Sequence, residues 1–464
     1  MGYTMITIVN YMISFISVPI TTRLYDPSII GQINFFNANV SLILVFVVLG
    51  LDEAMFRLYH NYELDKDKKR LFTYPLLISI IVILVFMFGI YLVGFDIINN
   101  LLGVDTDIAF ICLGVAVFVN VVLTYFQRIH RLNNKLFLFA VQTLMISSSV
   151  KAVMIFNGLN DKTFESFISI MLFVNLTLAI IFIFANRHMF EFYGLKKFAK
   201  ENTKEIFGYG FPVMVDQLIS NINIYVASLF IKNVLTFSML GIYSSAKSLA
   251  GLISLAQVGI NLGLQPYIYE NYDKEDNKFE MIYRIVCSVV LVGVLSITLF
   301  QPIIINLLGE KYQSAYSIFP ILMIAPCCGT LSIATSSGFE IMKKTNLRAF
   351  SNFITFILNI IFLAIIYFAM PEITLFAVCM AQAISALVGF MIKTYVSQKL
   401  YKTMNSYKYL LATLAVLIAN IFLNIMFTGF IRVVVYVGLI VLYCCNANEL
   451  KNIIKIGISY ITKK

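Results

Sequence analysis

The chain contains no tryptophan and few charged residues. Only 12% of its 464 residues are charged, and the 24 acidic residues are fewer than the 34 basic ones. A soluble protein typically carries about 25% charged residues. This scarcity excludes an ordinary soluble domain, and together with 60% hydrophobic residues and a mean hydropathy of +0.88 it predicts a membrane protein. Without tryptophan, the 26 tyrosines are expected to supply the interfacial aromatic belt.

Cysteine and histidine are also rare, and neither occurs in a pattern that predicts a catalytic or metal site. The sequence has no Cys-x-x-Cys spacing and no cysteine close to a histidine, which argues against a disulfide framework, a zinc site and an enzyme. All seven cysteines lie in apolar runs and are interpreted as packing residues: Cys112, Cys287, Cys327, Cys328, Cys379, Cys444 and Cys445. The three histidines are isolated in charged loops: His60, His130 and His188.

What the chain does have is a long series of apolar runs, each long enough to cross about 30 Å of hydrocarbon as a helix. They predict an all-α polytopic membrane protein with about 14 transmembrane helices. The predicted limits are 3–22, 35–56, 71–94, 108–127, 136–156, 164–185, 211–231, 239–265, 281–300, 315–336, 349–369, 373–392, 409–428 and 431–447.

Basic residues are distributed unevenly between the connections that join these spans. Alternate connections, with the C-terminal tail, hold 27 lysines and arginines, whereas the opposite connections hold five. The five are Arg23, Lys162, Lys232, Lys311 and Arg432. Because basic loops stay on the cytoplasmic side, both termini are predicted to be cytoplasmic. The net charge of +10 is therefore attributed to topology and not to nucleic-acid binding.

Three short segments recur in the same order about 210 residues apart. The pairs are Ser28–Gly31 with Ser238–Gly241, Tyr59–Glu63 with Tyr269–Asp273, and IINNLLG (Ile97–Gly103) with IIINLLG (Ile303–Gly309). They predict two copies of a six-helix lobe. Because six is an even number, the copies should be parallel, as in one recurrent class of transporters. The glycines that end these motifs are interpreted as turn residues.

The predicted organisation has three parts. The N-terminal lobe is 1–200, the C-terminal lobe is 201–400, and 401–464 adds helices 13 and 14 and a cytoplasmic amphipathic tail over 449–464. A transport path between the lobes, opened by alternating access, is the expected function of this arrangement.

Four stretches of the sequence resemble a known family of membrane proteins, and the resemblance covers nearly the whole chain. They are PITTRLYDPSIIGQINFF (19–36), LGLDEAMFRLYHNY (49–62), FSMLGIYSSAKSLAGL (237–252) and LLGEKYQSAYSIFPIL (307–322). They resemble bacterial oligosaccharide flippases of the Wzx type, within the multidrug/oligosaccharidyl-lipid/polysaccharide (MOP) exporter superfamily.

This resemblance implies a V-shaped pair of six-helix lobes and two additional C-terminal helices. It also implies that the chain moves an undecaprenyl-diphosphate-linked oligosaccharide from the cytoplasmic to the outer leaflet of the bacterial cytoplasmic (inner) membrane, for O-antigen or capsule-like polysaccharide biosynthesis. The implied partners are membrane lipids and the polymerase and chain-length proteins of the same pathway. No cofactor and no nucleic acid are implied.

Such a substrate needs a wet, positively charged groove. Leaving one hydroxyl without a partner in an apolar medium costs about 4–8 kcal/mol, and arginine and lysine suit a diphosphate. Arg23, Lys151 and Lys247 are predicted to form this groove on the outer half, and Arg57 to admit the diphosphate at the cytoplasmic end of the second span. The alternative is that Lys151 and Lys247 reach the nearby membrane interface with their long side chains.

Asp216 is an acid deep within the seventh predicted span, and Asn359 lies on the eleventh. An ionised carboxylate there needs a partner or a cation. One hypothesis is a proton- or sodium-coupling site formed by Asp216 and Asn359, with Asn221, Asn223 and Asn352 as further candidates. The alternative is a hydrogen-bonded bridge between helices.

Two rival functions remain at this stage. A drug or organic-cation exporter of the same superfamily would favour acidic groups in its lumen. A membrane glycan polymerase or glycosyltransferase would need a large outer loop or a carboxylate cluster, and the predicted outer connections are short.

Overall fold

The computed structural model describes residues 2–93, 107–272, 279–342, 344–427 and 429–446, and in these ranges the chain is helical without a β-strand. The heptapeptide Ile97–Gly103 and the tail over 449–464 lie outside the described residues, so neither prediction is tested. Contacts group the chain into two compact units, Met1–Gly241 and Ile242–Lys464.

The described helices of the first unit are α1 (Gly2–Leu24), α2 (Pro27–Val48), α3 (Leu51–Leu58), α4 (Asp65–Val93), α5 (Asp107–Leu132), α6 (Leu136–Leu159), α7 (Phe164–Ala185) and α8 (Leu195–Val234). Helix α9 (Phe237–Ala250) begins in the first unit and continues into the second. The second unit continues with α10 (Ile253–Asn271), α11 (Phe279–Leu299), α12 (Gln301–Asn306), α13 (Ala315–Leu322), α14 (Ile324–Thr335), α15 (Gly338–Ile341), α16 (Thr345–Ala369), α17 (Leu375–Leu400), α18 (Lys408–Met426) and α19 (Gly429–Asn446).

The prediction of an all-α polytopic membrane protein is confirmed, but the count of 14 spans is not. In the described ranges 12 helices are long and apolar enough to cross a membrane, and the bent pair α9 and α10 raises the count to 13. The described apolar stretch of α19, Gly429–Tyr443, is shorter than those helices and is not included in the count. The second predicted span also differs, because α2 ends at Val48 and α3 begins at Leu51.

The predicted lobe boundaries follow the sequence repeat, whereas the contact-based units follow packing. Helix α8 packs against α2 and α3, so residues up to Val234 belong to the first unit. Helices α18 and α19 both pack on α11 and belong to the second unit. The division at 200 and 400 therefore remains a prediction about the repeat.

The same type of N-cap occurs at corresponding helices of the two predicted lobes. Thr163 is the N-cap residue of α7, and its hydroxyl accepts a hydrogen bond from Ser166 N. Thr374 is the N-cap residue of α17, and its hydroxyl accepts one from Ala377 N. Both threonines have nearly the same backbone angles. A side-chain oxygen at this position satisfies an amide that the first helical turn leaves without a partner. These helices correspond to the last span of each predicted lobe.

Arg432 attaches α19 to the rest of the second unit. It was assigned to an outer connection by sequence, but it is only 2% exposed. Its guanidinium donates to the Thr298 carbonyl oxygen, to the Tyr316 hydroxyl and, at 3.0 Å, to Gln301 Oε1. A buried cation needs such acceptors because its desolvation is costly. The bonds hold α19 against α11, α12 and α13.

The first repeated motif forms a close contact between two helices of the first unit. A methyl group on Gly31 would lie 2.0 Å from the Phe237 carbonyl oxygen, and one on Gly241 would lie 1.9 Å from the Pro27 carbonyl oxygen. Each of these methyl groups would also lie 3.1 Å from the other glycine's amide nitrogen. The contact is therefore reciprocal: each glycine approaches the backbone of the other glycine's helix.

This contact corrects the interpretation of Gly31 and Gly241 as turn residues. Both lie inside helices, α2 and α9, and neither is among the residues with positive φ. They are glycines because the two backbones touch, and a Cβ atom would separate them.

We expect Gly31→Ala and Gly241→Ala each to lower the free energy of unfolding by about 1–3 kcal/mol, the usual cost of overpacking. Thermal unfolding of the purified protein in detergent measures the effect. The control is Gly293→Ala on α11, where a methyl group would meet nothing within 4 Å. Wild-type stability in both motif variants would show that the close contact does not constrain the fold.

Candidate functional site

A break in a membrane-spanning helix marks the candidate site in the second unit. Helices α9 and α10 meet at Gly251 and Leu252, where the chain bends by 46°. The Gly251 amide still bonds to the Lys247 carbonyl at 3.0 Å, and the Leu252 amide bonds to the Leu249 carbonyl at 3.2 Å. Broken helices within a membrane are tolerated where they line a cavity, and in transporters they often form the binding site.

A cavity of about 190 Å³, which we call the Lys247 cavity, lies beside this break. Residues from α9, α10, α13, α14 and α17 line it: Tyr243, Lys247, Gly251, Ser254, Ile321, Leu322, Ala325, Pro326, Cys379, Gln382 and Ala383. Its wall is mostly apolar, so its few polar groups determine what it can bind.

Those polar groups form a short hydrogen-bonded chain. Lys247 Nζ donates to the Tyr243 hydroxyl at 3.3 Å, and that hydroxyl donates to Gln382 Oε1 at 2.6 Å. The Lys247 ammonium also lies 5.3 Å from the centroid of the Tyr243 ring. The ring and hydroxyl of buried Tyr243 thus orient the cation, while Lys247 itself remains exposed.

A second cavity of about 230 Å³, which we call the serine cavity, follows further along α10. It is lined by Gln257, Asn261, Ile268, Gly329, Ser332, Ile333, Ser336, Ser337, Glu340, Arg348 and Lys393. Its only described carboxylate, that of Glu340, is paired with Arg348 at 3.2 Å. Hydroxyl and amide groups therefore dominate the polar surface of this cavity, and such groups can both donate to and accept from a sugar hydroxyl.

The two cavities share three lining elements, which are the broken helix α9–α10, α14 and α17. Along the broken helix the polar or small lining residues recur every three or four positions: Lys247, Gly251, Ser254, Gln257 and Asn261. That spacing places residues on one helix face, and it was visible in the sequence. The sequence prediction selected only Lys247 from this stripe because it considered charged residues alone.

The structure places Arg23 and Lys151 on neighbouring helices of the first unit. Helix α1 runs parallel to α6, with Gly2 beside Leu136 and Leu24 beside Gly158. In this register half-buried Lys151 lies roughly two helical turns, on the order of 9 Å, before exposed Arg23 along the helix axis.

Tyr25 holds these two helix ends together. Its hydroxyl donates to the Met154 carbonyl oxygen at 2.8 Å and accepts a bond from Asn157 Nδ2 at 3.0 Å. The structure thus places two of the three predicted groove bases on neighbouring helices, while Lys247 belongs to the other unit. Their role in binding stays a prediction.

The remaining predicted residues are distributed over both units. Arg57 is exposed in the last turn of α3. Asp216 is half-buried on α8 in the first unit, whereas Asn359 is buried on α16 in the second. Their joint role in ion coupling therefore also stays a prediction.

Sequence reasoning missed a buried ion pair in the first unit. Asp52 is 4% exposed, and its Oδ2 accepts a bond from Arg128 at 3.1 Å. Arg128 also pairs with Glu53 at 2.5 Å, and these contacts tie α3 to the end of α5. Asp52 and Glu53 were visible within a predicted span, but nothing in the sequence indicated that Arg128 lies next to them.

Comparisons with known proteins agree with this architecture. Residues 2–271 match the model of a family described as polysaccharide biosynthesis protein. No curated protein matches the chain.

Solved structures extend the comparison to the fold of nearly the whole chain. The lipid II flippase MurJ in an inward closed conformation is similar with a TM-score of 0.69 and 12% identity, over 95% of this chain and 97% of that one. An inward-facing multidrug resistance MATE family transporter of the MOP superfamily has a TM-score of 0.63 and 15% identity, over 85% of this chain and 95% of that one. At these identities the likeness concerns the fold.

If the Lys247 cavity is hydrated, a Lys247→Cys variant should react with a water-soluble, charged methanethiosulfonate reagent, because only an ionised thiolate is reactive. Phe173→Cys is the control, since Phe173 is 72% exposed on the apolar helix α7 and should face hydrocarbon. The unsubstituted chain gives the background, and its described cysteines are buried. Equal labelling of both variants, or none of either, would argue against a wet cavity at Lys247.

Proposed function

We propose that this chain, which belongs to the polysaccharide biosynthesis protein family and has the fold of the MOP transporters, is a flippase for a lipid-linked oligosaccharide. Its substrate is an undecaprenyl-diphosphate-linked repeat unit, which it moves from the cytoplasmic to the outer leaflet of the bacterial inner membrane. The product serves the assembly of a cell-surface polysaccharide such as O-antigen or capsule.

One observation carries the proposal: the lining of the two cavities along the broken helix. The Lys247 cavity offers an ammonium and the amide of Gln382, and the serine cavity offers several hydroxyls and two amides. A diphosphate is anionic and a sugar is rich in hydroxyls. Cationic donors stabilise the first, and groups that both donate and accept hydrogen bonds stabilise the second.

The energetics explain why such cavities are needed. An oligosaccharide crossing bare hydrocarbon would lose water at every hydroxyl, at about 4–8 kcal/mol for each hydroxyl left without a partner. Protein hydroxyls and amides replace that water, whereas the prenyl chain is itself apolar and stays in the lipid. Alternating access then lets the polar head enter on one side and leave on the other.

Arg23 and Lys151 extend this role to the first unit. Their positions on the neighbouring helices α1 and α6 differ by about two helical turns along the helix axis. Arginine offers a bidentate fork and lysine a compact charge, and both suit a diphosphate. Arg57, exposed at the end of α3, serves the diphosphate on its entry from the cytoplasmic side.

An exporter of drugs or organic cations is the second candidate, because the fold is similar to that of a multidrug resistance transporter. A site for organic cations favours carboxylates or aromatic faces. Among the described lining residues of the two cavities the single carboxylate is that of Glu340, which pairs with Arg348. This chemistry favours an anionic, hydroxylated substrate.

We expect Lys247→Gln and Lys151→Ala each to reduce export about tenfold or more, because each removes one charge-assisted bond to the diphosphate. In a strain lacking the native gene, surface polysaccharide and the lipid-linked unit retained on the inner leaflet are measured at equal protein level. Lys311→Gln, in an exposed 3₁₀ turn outside both cavities, is the matched control. Normal export in both variants would remove the groove assignment.

The coupling proposal is tested separately at Asp216. If Asp216 binds a proton or sodium ion, Asp216→Asn should abolish the dependence of transport on an imposed gradient, because the amide carries no charge. Proteoliposomes loaded with a lipid-linked oligosaccharide and given a proton or a sodium gradient measure this. If the Asp216→Asn protein responds to the gradient as the wild type does, Asp216 has no role in coupling.

A further inference from the structure

The largest of the cavities described here lies in the first unit, away from the broken helix. It has a volume of about 410 Å³ and opens where α4 begins and α5 ends. We call it the basic-face pocket, and its lining residues are Tyr59, Asp65, Lys68, Lys69, Phe72, Ile129, Asn133, Lys135, His188 and Met189. The transport proposal uses none of these side chains.

Positive charge dominates this pocket. Lys69 is paired with Asp65 at 3.2 Å. Among the described lining residues, Asp65 carries the single carboxylate. Lys68 instead lies over the Tyr59 ring, 5.4 Å from its centroid. In the described part of the chain no carboxylate lies within ion-pair distance of Lys68 or Lys135, so two ammonium groups remain available for an anion.

The rim of the pocket is polar and its floor is apolar. The Tyr59 hydroxyl donates to Asn133 Oδ1 at 2.7 Å, which fixes the rim between the end of α3 and the end of α5. Burial and the nearby Asp65 raise the pKa of Tyr59, so the phenol stays protonated. Phe72 and Ile129, 1% and 3% exposed, close the floor.

The position of the pocket suits a membrane-bound ligand. Lys68 and Lys69 lie in the first turns of α4, just before its apolar stretch begins at Leu71, and Lys135 precedes α6. These are the points where spanning helices leave the hydrocarbon on the side with the basic connections. Phosphate groups of anionic lipids lie at this depth, and basic pockets between helix ends on the cytoplasmic side are known to hold such headgroups.

We propose that the basic-face pocket is a phosphate-binding site, with Lys68 and Lys135 as its principal ligands and the Asn133 and His188 side chains beside them. The phosphate belongs to an anionic phospholipid or to a soluble phosphate compound. The lipid is favoured because the floor accepts apolar groups and the opening lies at the membrane surface. Occupation would anchor the ends of α3, α4 and α5 to the basic side of the membrane.

The test uses the full chain in nanodiscs and measures bound ligand by native mass spectrometry. One arm compares discs of phosphatidylcholine with discs that also contain phosphatidylglycerol. The other arm adds inorganic pyrophosphate to discs of phosphatidylcholine alone. We expect the wild type to retain the ligand in one of the two arms, and the arm identifies the source of the phosphate.

Lys68→Ala/Lys135→Ala should weaken that binding about tenfold or more, because two charge-assisted contacts are lost. Lys66→Ala/Lys196→Ala is the matched control, since it removes the same charge from exposed positions outside the pocket. If the Lys68→Ala/Lys135→Ala variant does not fold, the Lys68→Gln/Lys135→Gln variant replaces it. Glutamine removes the charge but keeps much of the apolar part of each lysine side chain.

Any one of three results would overturn the proposal. The first is that the wild type binds neither anion, and the second is that the pocket variant binds as strongly as the wild type. The third is that the pocket variant and the control variant lose binding equally. The last result would mean that the basic connections attract anions as a surface without a defined pocket.

Discussion

The contact between Gly31 and Gly241 is the constraint on which much of the arrangement rests. Two helix backbones touch there without intervening side chains, and each glycine occupies the same place in its copy of a repeated motif. Because hydrocarbon surrounds the helices, apolar side chains gain little by leaving lipid, and close backbone packing at small residues supplies the association instead. Within the first unit, the contact sets where α9 begins relative to α2.

Each unit contains a buried charged side chain that is held by partners. Asp52 is paired with Arg128, and Arg432 is surrounded by carbonyl, hydroxyl and amide acceptors. An uncompensated charge at these depths would be costly, so such groups mark positions where helices must stay in one register. The Lys247 and serine cavities differ, because their polar side chains face open volume that a ligand can fill.

Much of the fold could be predicted from the sequence, because the sequence features that indicate a membrane-spanning helix are local and add up over the helix. Hydropathy summed over about twenty residues identifies a helix long enough to span a membrane. The orientation inferred from the basic residues in alternate loops stays a prediction. Hydropathy did not predict where a spanning helix is interrupted. The end of α2 at Val48 depends on the left-handed residues Leu49 and Gly50, and on Gly50 packing against the Gly210 carbonyl of α8. Neither feature changes the hydropathy of the stretch.

The sequence by itself determined the class of the protein, the approximate positions of most of its apolar helices and the existence of two copies of one motif. Only the tertiary structure decided that Gly31 and Gly241 meet, that Arg128 lies beside Asp52, and that Lys247, Tyr243 and Gln382 share one cavity. The reason is physical. Hydrophobic thickness constrains each helix separately, whereas pairing and cavities depend on which helix faces meet, and residues far apart in the sequence enter that choice together.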